Sequence, residues 1–215
     1  MDSQGTVLGR LLKQVVPEYM MLKLERAAER HRQKLLRKQV VNSRRKYASV
    51  VFGSYIERGG SGSIWTYKNR EECKGFMEEI DEIGKFMNAL FMLLCPEITH
   101  AVAQIPDRYK LWLAISLLYW NVSNISKTHR DVLDLDYSLV LPFGNFDQGD
   151  VVFTYLNATL QARRGDIYLI CSNKVYHNIE REGPERQALV FCNHAAVVKR
   201  FCEVDLKQLY NNKFF

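Results

Sequence analysis

A chain of 215 residues with 47% hydrophobic and 25% charged side chains has ordinary globular composition and is long enough for one domain with a sizeable core. Its five cysteines (Cys73, Cys95, Cys171, Cys192 and Cys202) are odd in number and include no C-x-x-C pair; this argues against a disulfide framework or a thiolate zinc site and fits a reducing compartment. The N-terminus lacks the apolar core of a signal peptide, and the most apolar run, Leu111 to Trp120, is too short to span a bilayer, so a soluble, intracellular protein (nuclear or cytoplasmic) with no membrane partner is expected.

The net charge of +6 is unevenly spread: residues 1–50 hold twelve Lys/Arg against four Asp/Glu, a net +8, and the remainder carries −2. Residues 6–40 are predicted to be helical with an interruption near Pro17. From Glu18 onward, Met21, Leu24, Ala28, Leu35 and Leu36 alternate with Lys23, Arg26, Arg30, Arg32, Lys34, Arg37 and Lys38. Arg44-Arg45-Lys46 adds a second basic cluster, so residues 1–46 are read as a basic helical arm and 47–215 as the main domain. Positive charge gathered on one element is the footprint of a polyanionic partner such as nucleic acid. A solvated helix face has the same composition, and both readings stand.

Tyr47 to Ile56 is β-branched and aromatic and predicts a strand. Gly59-Gly60-Ser61-Gly62-Ser63 lacks the G-K-[ST] ending of a phosphate-binding loop and is read as a connector or mobile lip. Helical support follows over residues 69–105. Asn69 and Glu72 resemble a capping box, and Phe76, Ile80, Ile83, Met87, Leu90 and Leu94 recur at three- and four-residue steps. Pro96 stops or kinks that helix, and Glu97 to Gln104 predicts another.

The remaining core, residues 111–198, predicts a series of short strands. Leu111 to Val122 reads as a buried strand, and the polar Asn121 at its end needs a partner. Tyr137 to Leu141, Val151 to Leu156, Thr159 to Ala162, Ile167 to Cys171 and Val175 to Ile179 follow, broken by Pro142-Phe143-Gly144-Asn145-Phe146 and by Arg163-Arg164-Gly165-Asp166. Arg186 to Val198 closes the set, with a helix predicted over Glu203 to Asn211. Strands at such intervals suit a jelly roll.

Within this core stand His129 and Asp131, two apart, then His177, then Arg186. A spacing of two on a strand puts both side chains on one face, within reach of one metal. Two imidazoles and a carboxylate leave three positions of an octahedral iron open, the arrangement of non-haem Fe(II) oxygenases. For His129 and His177 taken singly, a satisfied core histidine is the plainer reading; their order with Asp131 and Arg186 favours the metal. His31 and His100 read as solvent-facing and structural, and His194 as a pocket-mouth residue, a support behind the ligands or a surface residue. Asp134 either hydrogen-bonds a ligand residue or caps a turn.

The segments H-R-D-x-x-D, L-P-F-G-N-F-x-x-G-D, R-R-G-D-I-Y-L, H-N and R-x-x-L-V-F, covering roughly Leu111 to His194, resemble Fe(II)/2-oxoglutarate dioxygenases, in particular the fungal TET/JBP-like branch. The resemblance implies an α+β fold, with a double-stranded β-helix (jelly-roll) core and supporting helices against the outside of its larger sheet. It implies Fe(II) on His129, Asp131 and His177, O2 as oxidant, and Arg186 pairing the far carboxylate of 2-oxoglutarate. A planar guanidinium meets a carboxylate with two parallel hydrogen bonds. Asn121 either contacts 2-oxoglutarate or makes a structural hydrogen bond. Many relatives carry a hydroxyl residue two places after this arginine, where Ala188 stands here, so help in holding the cosubstrate has to come from elsewhere. The implied substrate is a methylated pyrimidine in nucleic acid. A small molecule, a protein side chain, or a binding module without turnover are the alternatives.

Overall fold

The computed structural model describes residues 7–36, 48–56, 65–66, 71–122, 126–147, 150–180 and 185–202. Strands β1 (Gly9–Leu12), β2 (Ala48–Tyr55) and β3 (Trp65–Thr66) belong to one large sheet, together with β4 (Leu117–Val122), β6 (Ser138–Phe143), β9 (Ile167–Ile170) and β11 (Gln187–Cys192). Its order is β1-β9-β6-β11-β4-β2-β3. A smaller sheet runs β5 (Ser126–His129), β10 (His177–Glu180), β7 (Asp150–Phe153), β8 (Ala158–Leu160). Every pairing in both sheets is antiparallel. The described residues also form five α-helices: α1 (Glu18–Leu36), α2 (Glu71–Glu79), α3 (Asp81–Leu94), α4 (Pro96–Ala103) and α5 (Ala195–Phe201).

Period-two alternation sorts the large sheet into two faces. Leu118, Trp120, Leu139, Leu141, Leu189 and Phe191 lie in one apolar cluster with Met21 and Leu24 of α1, Phe76 of α2, and Met87 and Phe91 of α3. The helices therefore cover this face of the large sheet, as the resemblance implies. Phe76 stacks on Trp120 at 4.7 Å and on Phe52 at 5.4 Å, tying α2 to the central strands. The alternate residues Val140, Tyr168, Ile170 and Ala188 form a second cluster with Val151, Phe153 and Ile179 of the small sheet. The space between the sheets is thus lined by a distinct set of residues, and the site lies there.

Several local expectations change. Residues 9–12, read as helix, form the edge strand β1 against β9, because Gly9 to Leu12 pair with Ile170 to Ile167. The helix proper begins after Pro17 and buries Met21, Leu24, Ala27, Ala28 and Leu35. The single helix expected behind Asn69 is two, α2 and α3, meeting at Ile80. Pro96 stands at the N-terminus of α4, which is bent by 116° from α3. The strand expected from Leu111 starts only at Leu117. Trp112 is drawn instead to α3, where its indole N–H donates to Asp81 Oδ1 at 3.1 Å, and Trp112 bridges back to Ile115. Residues 195–198, expected to extend the last strand, begin α5. The Gly59–Ser63 turn, Asn69, Arg37 to Lys46 and the 203–211 helix lie outside the described residues.

Among the described residues no single helix is long and apolar enough to cross a membrane. All five cysteines are buried thiols, and burial pushes Cys95 up to about 12, so it is unreactive at neutral pH.

Candidate metal and cosubstrate site

His129 ends β5 and His177 begins β10, and the two stand directly opposite one another across the strand pair. A register shift between this pair and Ile179↔Ser126 places a bulge beside them, the kind of irregularity that re-aims side chains next to sites. Asp131 is not on the strand with His129, as the H-x-D spacing suggests; it lies two residues beyond the strand end. Its backbone N–H donates to Ser172 O at 2.9 Å, and its carbonyl accepts from Asp134 N at 2.8 Å, so a hydrogen-bonded loop takes over the work of the strand.

The donor atoms of His129, Asp131 and His177 lie within 4.8 Å of one another. His129 Nε2 is 3.6 Å from one Asp131 oxygen and His177 Nε2 is 3.6 Å from the other. Each imidazole is oriented by its own chain: Nδ1 of His129 donates to Lys127 O at 2.8 Å and Nδ1 of His177 to Val175 O at 3.1 Å. A carbonyl only accepts, so each Nδ1 carries a proton, and in the neutral ring Nε2 presents a lone pair. Burial holds the His177 pKa below its ordinary value, although Asp131 opposes this, and the ring stays neutral near pH 7. His129 and Asp131 are 37% and 38% exposed in their side chains, against 7% for His177, so the cluster opens to solvent on one side.

From this cluster a pocket runs inward between the sheets to Arg186. Asn121, Tyr168, Ala188 and Val190 line it from the large sheet and Ser126 and Ile179 from the small one. Arg186, one residue before β11, is 1% exposed. Its Nη2 donates to Tyr168 Oη at 3.3 Å, its guanidinium lies 5.6 Å from the Phe146 ring centroid, and its Nε has no hydrogen-bond partner. No carboxylate pairs with it among the described residues. A buried cation left in that state is a receptor for an anion. Burial raises the Tyr168 hydroxyl pKa, with Arg186 opposing, so the hydroxyl stays protonated and can donate. Gly144, at φ +96°, packs so closely that a Cβ there would collide with the Glu185 carbonyl oxygen; this contact fixes the strand approach to Arg186.

Asp134 is buried, accepting from Ser138 Oγ at 3.0 Å and Ser172 Oγ at 3.3 Å. Burial and the Asp131 charge push it up to about 8. It bonds the loop around Asp131, which favours a supporting role over a turn cap. His194 is buried behind it in an isolated bridge, with neither ring nitrogen bonded. Tyr168 is the functional candidate that the sequence reading passes over. Its signal was available, since Tyr168 and Ile170 alternate onto the same face.

Neither a family model nor a curated protein matches the sequence. Solved structures do. NgTET1, in complex with 5mC DNA, superposes with a TM-score of 0.70 at 21% identity, covering 91% of this chain and 75% of that one. A prolyl-4-hydroxylase from Pseudomonas putida gives 0.51 at 13% identity, covering 88% and 94%. The viral collagen prolyl hydroxylase vCPH from Paramecium bursaria Chlorella virus-1, a 2OG complex, gives 0.50 at 10%, covering 89% and 98%. These likenesses show the fold, and the resemblance read from the sequence holds at that level.

Proposed function

We propose that the protein is an Fe(II)- and 2-oxoglutarate-dependent dioxygenase with a double-stranded β-helix core, acting on a methylated pyrimidine in nucleic acid. One observation carries the enzyme reading: a His-Asp-His donor set and a buried guanidinium without a carboxylate partner share one pocket. The residues fit the groups they would hold. Both Nε2 lone pairs and the Asp131 carboxylate converge as a metal requires, and Arg186 needs an anion.

In this reading His129, Asp131 and His177 hold iron, and Arg186 takes the far carboxylate of 2-oxoglutarate. Tyr168 supplies the hydroxyl that Ala188 lacks, donating to the same carboxylate, while Phe146 covers the guanidinium and keeps water from competing. Asn121, the cross-strand partner of Ala188 on the same pocket wall, would contact the cosubstrate. When bound, iron and 2-oxoglutarate supply the oxidising power, with O2 consumed and succinate and carbon dioxide released as a substrate C–H bond is oxidised. The Asp134–Ser138–Ser172 group holds the loop that aims Asp131.

The likeness to NgTET1 with 5mC DNA and the +8 of residues 1–50 support the nucleic-acid substrate. The prolyl hydroxylase likenesses, at lower TM-scores, make a prolyl side chain the second reading. The test incubates the protein with Fe(II), 2-oxoglutarate and air together with methylated or unmethylated oligonucleotides or proline-rich peptides. Succinate is measured, and the products are weighed by mass spectrometry. Added oxygen on the methylated base supports the proposal; oxidation confined to peptide replaces it with the second reading.

A further inference from the structure

The end of the small sheet that carries the metal cluster also carries an exposed aromatic and cationic group. His177 faces both His129 and Phe153, the last residues of β5 and β7. The chain leaving β5, leaving β7 and entering β10 therefore emerges along one rim, as Arg130, Thr154–Asn157 and Tyr176. Tyr155 and Tyr176 meet there edge to face with centroids 5.1 Å apart. The Arg130 guanidinium lies 4.6 Å over the Tyr176 ring. Tyr155 is 76% exposed, Val132 46% and Leu156 48%.

Exposed aromatics in contact with one another, beside a pocket, mark an interaction surface. Their chemistry narrows the occupant. Arg130 has no carboxylate partner among the described residues, and Lys127, exposed on β5 three residues earlier, adds a second cation. A proline-rich peptide would use the rings but leave the cations unmet. A nucleic-acid strand uses both, stacking bases on aromatic faces and placing phosphates on guanidinium and ammonium groups. We propose that Tyr155, Tyr176 and Arg130 form the docking rim for a single-stranded segment of nucleic acid, with a base flanking the target on Tyr155 and its phosphate on Arg130. The proposal rests on the functional reading above and places that substrate. Because Arg130 lies between His129 and Asp131 in the chain, the rim and the metal site are immediate neighbours. A target that must leave its stack to enter the pocket is met by a surface that takes the bases beside it.

The test uses the full chain and a fluorescein-labelled single-stranded oligonucleotide carrying one 5-methylcytosine, read by anisotropy. Tyr155→Ala should weaken binding by about tenfold or more, and Tyr155→Trp, which keeps a stacking face, should restore it. Arg130→Ala should lower the log–log salt slope by about 0.7, the value of one phosphate contact on a single strand. Mn(II) affinity of each variant, measured by calorimetry, checks that its metal site is formed. Unchanged affinity in Tyr155→Ala and an unchanged slope in Arg130→Ala would overturn the rim. So would binding of proline-rich peptide, but not oligonucleotide, that depends on Tyr155. If the wild type binds the oligonucleotide through Tyr155 but never oxidises it, the rim stands and the enzymatic reading fails.

Discussion

Removing a metal ligand empties a site and leaves the core alone. His129 and Asp131 are more than a third exposed in their side chains, so His129→Ala or Asp131→Ala should abolish Fe(II) or Mn(II) binding while the thermal unfolding midpoint of the metal-free protein moves little. Calorimetry and a melting curve check both halves, and His177→Ala should lose metal in the same way. Arg186→Ala should weaken 2-oxoglutarate far more than metal. Loss of a charge-assisted bidentate pair costs roughly 2–4 kcal/mol, tens to several hundred-fold in affinity, and Arg186→Lys should recover only part because an ammonium lacks the fork. Asp134 gives a pH prediction. Its folded pKa of about 8 is above the ordinary carboxylate value, so the native state retains a proton that the unfolded chain has released. Metal-free stability should therefore fall as pH rises from about 4 toward 8, and Asp134→Asn should flatten that fall in chemical denaturation series. At this scale the proposed ligands are legible in the sequence because H-x-D is followed in order by a histidine and an arginine. The reason Asp131 points correctly is not legible: it depends on a loop bonded to Ser172, 41 positions away in the chain.

Elements set these residues in place through close contacts that no periodicity announces. Gly84 of α3 lies so near the Trp112 indole that a Cβ would overlap the ring. Gly84→Ala should destabilise the protein by about 1–3 kcal/mol through overpacking, read as a lowered denaturation midpoint. At Gly144 a Cβ would strike Glu185 beside Arg186, and the positive φ adds strain to any replacement. Gly144→Ala should consequently raise the 2-oxoglutarate dissociation constant more than the Mn(II) constant. Strands were the better-read elements. Ile167 to Cys171 and Gln187 to Cys192 stand out by composition, and β9 and β11 fall within them. Gly9 to Leu12 could not be recognised as a strand, because its partner β9 lies more than 150 positions away and decides the matter. Trp112 likewise leaves the strand reading only once Asp81 is brought beside it.

For the molecule as a whole, the basic N-terminal segment carries structure as well as charge. Helix α1 buries five side chains, and Lys23 and Arg30 are committed to Glu82 and Glu79. Arg164 binds both Glu18 and Glu25 of α1, tying the helix to the β8–β9 turn. Deleting residues 1–46 should therefore unfold the protein, and the charge is better tested by substituting the exposed Arg26 and Lys34. The charge count was legible from composition; the helix's place in the core was legible only in part, since Met21, Leu24 and Leu35 predict a buried stripe without saying what covers it. Two sheets enclose a pocket, with the proposed metal donors at the small sheet's end and a buried guanidinium at the large sheet's, and one dianion is proposed to bridge them. The most direct measurement is an anaerobic calorimetric titration of 2-oxoglutarate into Mn(II)-loaded protein, repeated without metal and with Arg186→Ala. Tight binding is expected only where metal and Arg186 are both present. Equal affinity in all three samples would contradict it.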